Sequence, residues 1–235
     1  MPNEATRAGQ VLVAGGTGGL GTAVVRELLA AGHGVTATWL VEDERERSEA
    51  EIGVHERLAF VEADLTTEDG AAQAVGAADS LAAVVNLVGG FTSGPLTHET
   101  EVAEFDRMLA VNLRPGILLA RAAMPRFLEA GGGAYVGVSA RPALRPFSGG
   151  APYTIAKAAV LAFVQALDAD YRQRGIRCNA ILPSVIDTPA NRRAQPGADH
   201  SSWVPPAEIA RVVRFLVSDE SAPISGAAVP VYGRA

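Results

Sequence analysis

Val11-Leu12-Val13-Ala14-Gly15-Gly16-Thr17-Gly18-Gly19-Leu20-Gly21 passes from four apolar residues through a glycine-rich turn into a stretch with Val24, Val25, Leu28 and Leu29 on one helical face. Position matters more than the glycines themselves. A buried strand, a tight turn and a helix in that order form the context a dinucleotide-binding turn requires. Glycines let the backbone turn sharply and approach a pyrophosphate, whose charge then sits against the N–H groups and positive dipole end of the helix. Two spacings fit: Gly16, Gly18 and Gly21 read as G-x-G-x-x-G, and Gly15, Gly19 and Gly21 as G-x-x-x-G-x-G. Spacing alone does not choose between them.

Outward from this turn, short apolar and β-branched runs alternate with longer stretches of helical periodicity, the pattern of a parallel sheet covered on both faces. Strands are expected at Gln10 to Ala14, Val35 to Trp39, Leu58 to Val61, Ala82 to Leu87, Ala134 to Ser139, Arg177 to Leu182 and Ala228 to Val231. The fold class is therefore α/β: one domain over 1–235 with a doubly wound seven-stranded parallel sheet and helices on both faces. Gly21 to Ala31 is expected to be helical and to end at Gly32. Glu101 to Glu129 and Tyr153 to Arg174 are the two longest helical stretches, the first kinked or divided by Pro115 and Pro125. Pro189 to Pro206, with four Pro, a Gly and many polar groups, reads as a loop.

With 235 residues, 48% hydrophobic and 20% charged, the chain buries a substantial core and is far from the composition of disorder. A formal net charge of -6 and the lack of any basic stripe argue against nucleic acid as a partner. The mixed-sign run Glu42 to Glu51 reads as a solvated helix face or loop. Cys178 is the only cysteine, expected to pack in a strand, and with no disulfide framework a cytoplasmic location fits. Met1 to Gln10 is polar and lacks a secretory apolar region, and no apolar run reaches the roughly 18 residues of a membrane helix. No metal is expected.

Nineteen of the 20 basic residues are Arg, and the remaining one is Lys157, four residues after Tyr153. A compact ammonium and a fork-shaped guanidinium are not equivalent, so an amine kept at one place alone has a chemical reason. A spacing of four puts the two side chains on one helical face. A free phenol titrates at about 10, too high for efficient proton exchange at neutral pH, and a neighbouring ammonium is expected to lower it.

In these residues the chain resembles the short-chain dehydrogenase/reductase family, and the match spans nearly its whole length. The family turn T-G-x-x-x-G-x-G is matched by Gly15, Gly19 and Gly21, with Ala14 where threonine is usual. Asp64-Leu65 is similar to the adenine-contacting acid after the third strand, and Asn86-Leu87-Val88-Gly89 resembles N-N-A-G in its first and last residues. Asn112, Ser139, Tyr153 and Lys157 match the catalytic tetrad in family order. Pro183-Ser184-Val185-Ile186-Asp187-Thr188 resembles P-G-x-x-x-T, which holds the nicotinamide, with Ser184 in place of glycine. Ser225-Gly226 and Tyr232-Gly233 resemble the closing turns, the second with Tyr where Asp is usual.

The resemblance implies a single-domain Rossmann fold and an NAD(P)-dependent oxidoreductase moving a hydride between a nicotinamide and a carbonyl or alcohol substrate. Tyr153 would exchange the proton, Ser139 hold the same oxygen, Lys157 bond the nicotinamide ribose, and Asn112 position a water in a proton relay. The cofactor would be held by Gly15, Thr17, Gly18, Gly19, Leu20 and Gly21, by Thr38 and Trp39 at the end of the second strand, by Asp64, Leu65, Asn86 and Gly89, by Tyr153 and Lys157, and by Pro183, Ile186 and Thr188. Trp39 stands where an NAD-selective acid is usual, so the expectation leans to NADP over NAD, with Arg45 and Arg47 either solvated or folded back onto a phosphate. Loops 91–96, 141–152 and 189–204 would form the substrate pocket, where Arg141, Arg145 and Phe147 suit an acidic or aromatic substrate or simply lie at its rim. The family implies a homotetramer or homodimer through the two long helices. Competing readings are a non-catalytic NAD(P)-binding sensor, which the intact tetrad opposes, and a sugar-nucleotide epimerase or dehydratase, which normally adds a C-terminal substrate domain beyond the last strand expected here.

Overall fold

The computed structural model describes residues 9–234, so the polar opening stretch Met1 to Ala8 lies outside the described residues. Seven strands form one all-parallel sheet: β1 (Gln10–Ala14), β2 (Gly34–Trp39), β3 (Leu58–Glu62), β4 (Leu81–Asn86), β5 (Gly133–Val138), β6 (Ile176–Pro183) and β7 (Ala228–Val231). Their order is β3-β2-β1-β4-β5-β6-β7. All seven expected strands are present, with ends shifted by one residue at most. The strand order reverses between β1 and β4, with β2 and β3 added on one side of β1 and β4 to β7 on the other, and this switch point opens a crevice beyond the carboxyl ends of the strands.

Eight helices cover the two faces: α1 (Gly19–Ala30), α2 (Glu42–Ile52), α3 (Glu68–Gly76), α4 (Val102–Asn112), α5 (Arg114–Ala130), α6 (Ala151–Tyr171), α7 (Pro189–Ala194) and α8 (Pro206–Val217). Strand periodicity divides the core in two. Val11 and Val13 of β1 pack with Val24, Val25 and Leu28 of α1 and with Ile209 and Val213 of α8. Leu12 and Ala14 point the other way, into Leu119 and Phe127 of α5 and Ala71 and Ala74 of α3. Burial on both faces explains why these strands read as continuous apolar runs. Cys178 is buried in β6 as expected.

The long segment from Glu101 divides at Leu113, because Pro115 has no N–H to offer the carbonyl four residues back and sits instead in the first turn of a new helix, α5. Pro125 breaks nothing. It faces solvent within α5, so the carbonyl it leaves unpaired is open to water while Met124 and Phe127 hold the helix to the core.

The stretch from Pro189 to Pro206 is more ordered than a loop. Thr188 Oγ1 accepts from Asn191 N–H at 3.2 Å and caps α7, whose first residue is proline. A short 3-10 turn follows at His200–Ser202. The run Glu42 to Glu51 is helical, with Ser48 as its one buried residue, in line with a solvated face. No helix among the described residues is long and apolar enough to cross a membrane.

Candidate active site

The turn between β1 and α1 is bound to β2 by one buried side chain. Thr38 Oγ1 accepts from Gly15 N–H at 2.9 Å, and Thr38 O accepts from Gly16 N–H at 3.0 Å. Gly15 has φ +75, and a Cβ on Gly21 would lie 2.1 Å from Gly15 O, so the turn closes only with glycine at both positions. The helix that follows has Gly18 at its N-cap, no capping side chain and no acid in its first turn. Its leading N–H groups therefore offer an uncompensated positive end, which fits the pyrophosphate of a dinucleotide.

On the other side of the switch point, Asn86 ends β4 and accepts from Val88 N–H at 3.2 Å, shaping the descent to Gly89. Here three groups converge. A Cβ on Gly89 would lie 2.6 Å from Asn112 Oδ1 and 2.9 Å from Lys157 Nζ, so any larger residue there displaces one of these two side chains. Asn112 ends α4, buried, accepting from Gly90 N–H at 3.2 Å and donating to Met108 O at 3.0 Å.

Ser139 follows β5 directly, and its Oγ donates to Lys157 O at 2.7 Å. In return Lys157 Nζ donates to Val138 O at 3.0 Å and lies 5.9 Å from the centre of the Tyr153 ring. The lone lysine is only 6% exposed. Burial pushes its ammonium down to about 8 and the Tyr153 phenol up to about 12. This corrects the expectation that Lys157 lowers Tyr153: the ammonium is bonded to a carbonyl and sits beside the ring, and burial dominates at the phenol.

The remaining residues expected to hold a cofactor lie at the end of β6, in the segment after it and in the turn after β3. Thr188, in the segment after β6, faces Gly19, whose Cβ would lie 3.1 Å from the Thr188 Cβ. Pro183 ends β6, and Ile186 pairs with Val204 in an isolated bridge. Ser184, in the glycine position, donates to Tyr232 O at 2.9 Å, which ties that segment to the residues after β7. Asp64 accepts from Thr66 N–H at 2.9 Å and Thr66 Oγ1 at 2.6 Å, and these bonds hold its carboxyl below the usual range, while Leu65 is buried.

At the end of β2, the Arg45 guanidinium lies 5.6 Å over the Trp39 ring, bonded to Glu42 and Glu49. Arg47 is exposed, 4.0 Å from Glu44. Only Arg45 folds back. The Val138 carbonyl as partner of Lys157 had no signal in the sequence, and Phe91, at the start of a loop expected to form the substrate pocket, meets the Tyr153 ring edge-on at 5.0 Å.

Residues 10–199 match the family model described as short chain dehydrogenase. The chain is 32% identical over 242 residues to 2-(R)-hydroxypropyl-CoM dehydrogenase of Xanthobacter autotrophicus, covering 94% of this chain and 96% of that protein. It is also 32% identical to the cyclopentanol dehydrogenase of a Comamonas species, over 95% of each chain. A solved structure of 3-ketoacyl-(acyl-carrier-protein) reductase from Brucella melitensis, complexed with NADH, superposes with a TM-score of 0.86 at 26% identity, covering 97% of this chain and 98% of that one. The chain belongs to the short-chain dehydrogenase/reductase family, and is an oxidoreductase that works with a nicotinamide cofactor.

Proposed function

We propose that the protein interconverts a ketone or aldehyde and its alcohol at a site built from Asn112, Ser139, Tyr153 and Lys157. The observation that carries this is the convergence at Gly89, where Asn112 Oδ1 and Lys157 Nζ approach one bare backbone position at the mouth of the dinucleotide crevice. A reduced nicotinamide bound there supplies the hydride that the carbonyl carbon accepts. Tyr153 gives its phenolic proton to the carbonyl oxygen, and takes it back in the oxidative direction. Ser139 turns its hydroxyl from Lys157 O to the same oxygen and stabilises the charge that develops on it. Lys157 Nζ holds the ribose hydroxyls, and the buried end of α4 at Asn112 holds the water that returns a proton to the site.

The uncapped α1 N-terminus and the residues from Gly15 to Gly21 hold the pyrophosphate, with Thr38 keeping the turn in place. NADP is taken in preference to NAD, because Trp39 stands where a repelling carboxylate would be and Arg45 leans over its ring. The subunits pair through α5 and α6, whose outer faces form a groove of about 270 Å³ between Ile117, Met124, Leu128 and Phe163. That gives a homodimer or homotetramer. A cytoplasmic home belongs to the same reading, supported by the lone buried thiol of Cys178.

Paired titrations with NADH and NADPH, followed by a carbonyl panel with the preferred cofactor, test the proposal. Binding with turnover supports it. Binding with no turnover of any carbonyl or alcohol would leave a sensor of the same fold.

A further inference from the structure

Two phenyl rings stand in line beside Tyr153. Phe91, two residues past Gly89, sets its ring edge-on to Tyr153 at 5.0 Å, and Phe147 stacks on Phe91 at 6.3 Å with 24° between the planes. Both phenyl rings remain open, Phe91 at 57% and Phe147 at 39% exposure. Exposed large apolar side chains clustered beside a reacting group mark a binding surface, whereas the same residues scattered singly mean nothing.

The cluster is built into the backbone. Gly94 N–H donates to Gly149 O at 3.0 Å and joins the loop after β4 to the one before α6. A Cβ on Gly149, at φ +74, would lie 2.3 Å from Gly94 O, and a Cβ on Gly150 would lie 2.5 Å from Phe147 Cζ. The Phe147 ring thus rests on bare backbone at the start of α6, one turn from Tyr153. The three cation–ring pairs among the described residues use Trp39, Tyr232 and Tyr153, so no cation covers either phenyl face.

We propose that Phe91 and Phe147 form an aromatic shelf that binds an apolar ring of the substrate, which makes the substrates alicyclic or aryl ketones and the matching secondary alcohols. This rests on the oxidoreductase reading and deepens it. A ring inserted between two others needs roughly 7 Å for two van der Waals contacts, more than the spacing here, so the substrate ring lies on the open faces of the pair. From there its carbonyl reaches Tyr153. The carbonyl carbon takes a hydride from the reduced nicotinamide, its oxygen takes the Tyr153 proton, and the products are the secondary alcohol and oxidised cofactor.

The test compares kcat/KM of the purified protein for 2-methylcyclohexanone and acetophenone with that for hydroxyacetone, each with NADPH and with NADH. The expected preference for the cyclic ketones is about 30-fold or more, since burying a ring removes far more apolar surface from water than burying a methyl. Phe91→Ala should shrink that preference by about 10-fold, and Phe91→Leu, which restores apolar area, should recover part of it. Unchanged thermal unfolding shows that the variants fold; Phe147→Ala provides the same readout if Phe91→Ala does not. Equal or reversed preference in the wild type, or a preference untouched by both alanine variants, overturns the shelf while leaving the oxidoreductase reading in place. Failure to reduce any of the three compounds, despite turnover of other carbonyls, likewise overturns the shelf alone. Failure on every carbonyl overturns both.

Discussion

Ser139 and Lys157 hold each other across the gap between β5 and α6: Ser139 Oγ donates to the Lys157 carbonyl at 2.7 Å while Lys157 Nζ donates to Val138 O at 3.0 Å. Each member of this pair has a structural partner and, in the proposed mechanism, a chemical duty. Ser139→Ala removes both roles of the hydroxyl. Turnover should fall by about 10²- to 10³-fold, the scale of losing one oxyanion donor, and stability by about 1 kcal/mol, the worth of one hydrogen bond. Steady-state kinetics with thermal unfolding separate the two effects.

Gly89→Ala places a methyl 2.6 Å from Asn112 Oδ1 and 2.9 Å from Lys157 Nζ. Both groups are buried and hydrogen-bonded, so shifting them should cost the variant about 1–3 kcal/mol of stability and most of its turnover. Gly76→Ala is the control. Its Cβ meets nothing within 4 Å at the end of α3, and it should keep full activity with stability equal to or above that of the wild type.

The pH dependence follows from the two burial shifts. Lys157 is held at about 8, so raising the pH through 8 removes its charge, while Tyr153, at about 12, keeps its proton. Reduction should therefore be level below pH 8 and fall by about tenfold per unit above it, with the acid still protonated on the falling limb. A rate of reduction that stays level to pH 10 would show that the charge on Lys157 is not required.

Cofactor choice is predicted at Arg45. Arg45→Ala should raise the KM for NADPH by about 10-fold, the worth of one exposed charge-assisted contact, and change that for NADH by less than about twofold. The reverse pattern would assign the end of β2 to NAD.

The fold was legible because strands buried on both faces read as apolar runs, and the glycine turn marks where the first strand meets a helix. Legibility failed where local chemistry outweighed composition. Thr188 followed by Pro189 is a helix start that the many polar residues after it obscured, and Pro125 is harmless only because it faces water. In the site, the spacing of Tyr153 and Lys157 placed the pair on one helix, and family order led to Asn112 and Ser139. What sequence did not hold was the partner of each atom. The Val138 carbonyl leaves no trace in side-chain identity, and Phe91 meets Tyr153 across 62 positions of chain. The direction of the Tyr153 shift depends on burial, which no spacing of four residues reveals.

The central claim is that the Tyr153 phenol and the only lysine in the chain carry carbonyl chemistry, and comparing wild type with Tyr153→Phe and Lys157→Arg under the preferred cofactor tests it most directly. Tyr153→Phe should lose about 10²- to 10⁴-fold in turnover, the contribution of a positioned general acid, while still binding cofactor. Lys157→Arg should abolish turnover and remain folded, since a guanidinium does not replace a buried ammonium beside Gly89. Near-wild-type turnover in either variant would contradict the account.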